Sequence, residues 1–201
     1  KFWRDEAIPF EIARTFAELG HLDVVVAPNE VWGVGYMTHA TGFTVTAPLG
    51  AVFSIFGVSV ATARLYMIVW IVAAILTIFF IARSFFGERS AYAATLLIST
   101  FASFYANGRT VTGEVPGFML LLIALWLFYK RKSFVTGGFL LALAAITKPS
   151  MYVLVLPALA LEFVFEKKEF FSRSARAVIG SLPVFVFWIW LIFPEPFSLG
   201  S

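Results

Sequence analysis

A bundle of helices embedded in lipid is the fold class that this sequence predicts, and three observations predict it. The 201 residues are 60% hydrophobic, with 24 Phe and 6 Trp. Only 13% are charged, against roughly a quarter in soluble domains. A chain this short has too little interior to hide so much apolar surface from water. Apolar runs follow one another from about residue 62 to residue 193. The basic residues gather in alternate separators between those runs. The sequence has no cysteine, which excludes a disulfide framework and a thiolate metal site. His21 and His39 are its two histidines, too few for a histidine-rich metal cluster. The net charge of +3 is loop charge that orients a membrane chain, so no nucleic-acid partner is expected.

Residues 1–60 read as an outer, extracytoplasmic first loop with amphipathic and interfacial helices. "IPFEIARTFAELG" places Ile8, Ile12, Phe16 and Leu19 at helical spacing, with Glu11, Arg14 and Glu18 between them. Gly20 is a natural stop. Residues 21–42, with Pro28, Gly33, Gly35 and Gly42, read as a loop. "VTAPLGAVFSIFG" is apolar but too short to span, which suits the interface.

Residues 61–201 read as a transmembrane bundle of about six spans: 62–82, 90–106, 115–129, 134–146, 150–165 and 175–193. "RSFFGER", "KRK" and "EKKEFFSRSAR" fall on one side by alternation, and the positive-inside rule makes that side cytoplasmic. The run 134–146 forms a helix of only ~20 Å against a hydrocarbon core of ~30 Å. The run 115–129 is also short. Started from their cytoplasmic loops, both would end beneath the outer surface and leave Glu114 and Lys148 recessed. A charge at that depth costs on the order of a few kcal/mol unless it faces a water-filled or ligand-filled cavity. No secretory signal pattern opens the chain, and "FPEPFSLGS" has no stop-like feature. Both ends therefore read as those of a fragment of a longer protein.

The outer turns share one design. Asp5 and Glu6 precede Pro9, Glu114 precedes Pro116, and Lys148 precedes Pro149. Proline suits a first helical turn and pushes its predecessor out of helical geometry, so each charge should stand at or just before a helix N-terminus. Helix starts favour anions and can hold carboxylates rigidly. Each residue also has a plainer reading. Asp5 and Glu6 serve equally as caps, Glu114 beside Arg109 as half of a structural ion pair, and Lys148 as a snorkelling surface cation. Arg64 fits an orientation anchor as well as a ligand group, and His39 a polar loop residue.

In order along the chain, "DEAIPFEIARTFAELG", "TAPLGAVFSIFGVSVATARL", "ARSFFGERSAYAATLLISTFASFYANGRTVTGEVPGFMLLLIALWLFY" and "GGFLLALAAITKPSMYVLVLPALAL" follow a known pattern. The chain resembles the membrane glycosyltransferases of the GT-C fold, the broad family of protein O-mannosyltransferases and the aminoarabinose transferase of lipid A. The likeness covers about residues 5–165. It implies a sugar transferred from a polyprenyl-phosphate carrier to a hydroxyl acceptor on a glycan, lipid or protein, with inversion, on the extracytoplasmic face. By the same resemblance Asp5 is the base, Glu6 its partner and Glu114 the second loop acid. Lys148 and Arg64 lie near the lipid phosphate, with Arg109 and His39 as further binding candidates. A divalent Mg or Mn ion held by Asp5 and Glu114 is compatible with the family but not required by it. Ala47-Pro48 stands where the family has Pro-Pro, and Lys148-Pro149-Ser150 where it has Lys-Gly-Pro, so the sugar and acceptor stay open. The competing classes are a transporter or flippase using the recessed Glu114 and Lys148, and a noncatalytic assembly subunit whose acids merely cap helices.

Overall fold

The apolar spacing of the N-terminal segment does form a helix, α1 (Arg4–Leu19). The computed structural model describes residues 4–27, 30–31, 41–158 and 170–192. Ile12 and Ala13 are buried, whereas Leu19, expected on the same face, is 55% exposed. Helix α2 (Phe43–Phe56) lies beneath α1. The two approach closely because a Cβ on Gly50 would fall 2.8 Å from the Ala13 carbonyl oxygen. Phe10 meets Phe53 edge-on at 5.1 Å between ring centroids. Between these helices, the segment read as loop contains a short antiparallel ribbon, β1 (Val25–Ala27) with β2 (Glu30–Val31).

Helix α3 (Val60–Phe86) is the longest described element. Ser59 caps it by accepting the Thr62 N–H at 3.0 Å, and Gly87, at φ 84°, ends it. Its 27 residues extend ~40 Å at the standard rise. It is the one single helix among the described residues long and apolar enough to cross a membrane. Leu65, Val69, Val72, Leu76 and Phe80 form an outward stripe, each about half exposed or more. Ala63, Met67, Ile71 and Ala74 face inward. An apolar outer face of this kind is what lipid solvates and water does not.

The expected run 90–106 is not one helix. It breaks at Phe101 into α4 (Glu88–Thr100) and α5 (Ala102–Gly108). The Thr100 hydroxyl donates to the Leu96 and Leu97 carbonyls at 3.0 and 3.1 Å, back-bonding that competes with the helical ladder. Helix α6 (Glu114–Trp126) continues into a π-helical turn, Leu127–Arg131. Helix α7 (Phe134–Thr147) follows, then the four-residue α8 (Pro149–Tyr152). The chain bends by 119° between α7 and Pro149–Ala158, a pair that passes as a membrane span only when taken together. The expected run 150–165 is described only to residue 158.

Helix α9 (Phe170–Ile192) starts earlier than expected and takes in Arg173 and Arg176 from what read as a loop. It packs on α7 through small residues. A Cβ on Gly138 would sit 2.0 Å from the Ala177 carbonyl oxygen, and one on Gly180 1.9 Å from that of Val135. Such backbone contact lets helices associate by packing alone where lipid removes the hydrophobic drive.

Candidate functional site

Two polar junctions at one end of the helices carry the candidate residues. The first is built on the start of α1. Asp5 and Glu6 lie in its opening turn, where helix-end N–H groups favour carboxylates. Although adjacent, they take opposite environments. Asp5 is exposed, whereas Glu6 is 1% exposed. Pro9, itself buried, follows inside the helix. It has no N–H to return to the Asp5 carbonyl, so the opening turn lacks one of its own bonds.

Glu6 turns inward onto α3. Arg64 donates through Nη2 to Glu6 Oε2 at 2.7 Å, and through Nη1 to Glu6 Oε1 and to the Arg109 carbonyl. The Val111 N–H donates to Glu6 Oε1 at 3.3 Å. One carboxylate thus ties α1 to α3 and to the turn after α5. The Arg109 side chain is exposed, and its contribution to this junction is its backbone oxygen.

The second junction continues from that turn. Thr110 donates to the Asn107 carbonyl at 2.6 Å, and its hydroxyl lies 2.8 Å from that of Thr112. Gly113, at φ 81°, turns the chain into α6. A Cβ there would fall 2.7 Å from the Thr147 carbonyl oxygen, so both the conformation and the space require glycine. That same oxygen accepts the Gly42 N–H at 3.0 Å, and a Cβ on Gly42 would meet the Ile146 carbonyl oxygen at 1.9 Å. The Thr44 and Thr147 hydroxyls are 2.6 Å apart. The starts of α2 and α6 therefore both close on the end of α7.

Glu114 and Lys148 meet at this closure, with Nζ 3.2 Å from Oε1 and side chains 29% and 19% exposed. The cation beside Glu114 is thus Lys148; the Arg109 that sequence proximity suggested serves Arg64 instead. Glu114 Oε2 is buried and has no hydrogen-bond partner among the described residues. The Tyr152 hydroxyl donates to the Glu114 carbonyl, and the Tyr152 ring fills the space beside Gly117, 2.2 Å from where a Cβ would be. Tyr152 was not among the residues selected by sequence. Its signal is faint: a tyrosine one helical turn after Lys148, opposite a glycine three residues after Glu114.

Six of the seven selected residues therefore belong to two junctions linked through the 109–114 turn: Asp5, Glu6, Arg64, Arg109, Glu114 and Lys148. His39 lies outside the described residues. An exposed carboxylate, an anchored ion pair and a half-buried ammonium can between them take up a proton and neutralise an anion. No group of three or more His, Cys, Asp or Glu side chains among the described residues could hold a metal ion.

The sequence matches the model of a family described as dolichyl-phosphate-mannose-protein mannosyltransferase over residues 31–193. No curated protein matches it. Among solved structures, the crystal structure of ArnT from Cupriavidus metallidurans bound to undecaprenyl phosphate is similar, with TM-score 0.74 and 18% identity. The alignment covers 97% of this chain and 38% of that one. At that identity the likeness is one of fold, and the chain spans well under half the length of the protein it matches.

Proposed function

From the premise that this chain belongs to the dolichyl-phosphate-mannose-protein mannosyltransferase family, we propose that it carries the N-terminal part of a GT-C glycosyltransferase's site. The proposed reaction moves a sugar from a polyprenyl-phosphate carrier to a hydroxyl acceptor. The bond between the anomeric carbon and the phosphate oxygen breaks, the acceptor oxygen bonds to that carbon with inversion, and the acceptor's proton passes to a carboxylate. Asp5 is the base in this reading: it is the exposed acid of the opening turn, whereas Glu6 is buried against Arg64. Lys148 takes the leaving phosphate's charge, and Glu114, 3.2 Å away, holds the ammonium in place. Glu6 and Arg64 fix the opening turn that presents Asp5. Arg109 and His39 remain proposed binding groups, and no step is routed through a metal.

The single observation that carries this reading is the linkage of the α1 opening turn to the Glu114–Lys148 corner, within a chain whose family uses such carriers. Residues 1–60 are read as an extracytoplasmic loop and the remainder as a multi-span bundle, with the linked junctions on the extracytoplasmic side. The GT-C-like fold and the apolar outer face of α3 support a lipid-embedded chain. Incubating the full-length protein with labelled polyprenyl-phosphate sugars tests the reaction. Label should move to acceptor or water, and no movement with any such donor would refute the proposal.

A further inference from the structure

The other end of the helices is chemically unlike the site and forms a second built region. Among the described residues it holds Arg83, Arg89, Lys130, Arg131, Lys132, Arg173 and Arg176, with Glu88 the acid among them. Four of these cations, Lys130, Arg131, Arg173 and Arg176, lie on aromatic faces. Lys130 stands 5.8 Å over the Phe85 ring of α3. Arg131 stands 5.0 Å over Trp126, whose indole N–H donates to Ser84 at 3.0 Å. Arg176 stands 5.3 Å over Phe134, which stacks on Phe128 at 5.9 Å. The π-turn delivers Lys130 and Arg131 to this end. Lys132, at φ 54°, reverses the chain, and the Ser133 N–H donates to the Leu127 carbonyl at 3.0 Å.

Beside it lies a groove of about 550 Å³ between α3, α4 and α6, lined by apolar residues that include Ile81, Ala82, Ala94, Leu97, Phe118 and Leu122. The two features are continuous in helical register. On α6 the groove residues Phe118 and Leu122 lead by steps of four to Trp126, and the π-turn that follows carries Lys130 and Arg131. On α3, Ile81 leads by the same step to Phe85, the ring beneath Lys130. An apolar slot thus ends at fixed cations. That sequence of chemistries, with the charge at one end only, fits a lipid whose chain is apolar and whose headgroup is negative. Each contact holds its cation against a ring face at this end of the helices.

We propose that this region binds one anionic phospholipid, with an acyl chain in the groove and its phosphate against Lys130 and Arg131. The inference rests on the chain being embedded in lipid, not on the transfer reaction. Full-length protein in phosphatidylcholine nanodiscs doped with phosphatidylglycerol, released for native mass spectrometry, provides the test. The expected result is one retained phosphatidylglycerol per protein in preference to phosphatidylcholine. The pair Lys130→Gln and Arg131→Gln should reduce that retention about thirty-fold, the order expected for removing two headgroup cations. Lys130→Arg should preserve it. Ala94→Phe, which fills the groove and leaves the cations intact, should also reduce it, with helical content checked by circular dichroism. Equal retention of the two lipids, or retention unchanged by the double glutamine variant, would overturn the proposal. So would displacement of the bound lipid by equimolar undecaprenyl phosphate, which would assign the groove to the sugar carrier.

Discussion

Removing Arg64 should destabilise the protein more than removing Glu6, although the two form one pair. Breaking a buried ion pair from one side costs about 3–5 kcal/mol, because the surviving charge is left unpaired. The two partners are not equally buried: Glu6 is 1% exposed and Arg64 23%. Arg64→Ala strands a carboxylate that has only the Val111 N–H left, so its cost should lie near the upper end, about 4 kcal/mol. Glu6→Ala leaves a guanidinium that keeps the Arg109 carbonyl and reaches solvent, which lowers the cost to about 2–3 kcal/mol. The apolar double replacement, Glu6→Leu with Arg64→Met, removes both charges and should fall within about 1 kcal/mol of the native protein. Unfolding of purified protein in mixed micelles, followed by circular dichroism as denaturing detergent is titrated in, measures the native protein, both alanine variants, the double alanine variant that closes the cycle, and the apolar double replacement. Additive single losses, or an Arg64→Ala loss below about 1 kcal/mol, would refute the reasoning.

Gly42→Ala should cost about 3 kcal/mol or more, since its methyl would lie 1.9 Å from the Ile146 carbonyl oxygen and separate α2 from α7; the same unfolding titration reads it. Gly138→Val should part α7 from α9 by a similar clash with Ala177, seen as faster proteolysis at α9 with α1 and α2 unaffected. Lys148→Met should lower kcat for transfer by roughly 10²–10³-fold, and should also lower the thermal midpoint, because it leaves the half-buried Glu114 without its counter-ion. Glu114→Gln should lower kcat less than Lys148→Met does, because in the proposed roles it only positions the ammonium.

How much of this was legible in the sequence depended on how local the determining forces are. The apolar spacing of α1, the length of α3 and the charged turns before Pro116 and Pro149 are local signals, and each led to an observed element. The break at Phe101 was not visible, since no glycine or proline marks it. In the early part of α9, Arg173 and Arg176 rest on Phe134, a contact no window of sequence contains. At the site, the sequence placed Glu114 and Lys148 correctly at helix ends, and the structure joins them. It read Asp5 and Glu6 as an acidic pair, because the partner that draws Glu6 inward lies 58 positions away. Glycines 42 and 113 matter through backbone approaches that only the folded chain reveals.

The most direct test replaces a single oxygen. Asp5→Asn in the full-length protein, assayed with labelled polyprenyl-phosphate sugar, should insert and unfold as the native protein does while losing at least a hundred-fold in turnover. Native turnover from that variant would contradict the assignment of the opening carboxylate as base, and with it the claim that these linked junctions perform sugar transfer.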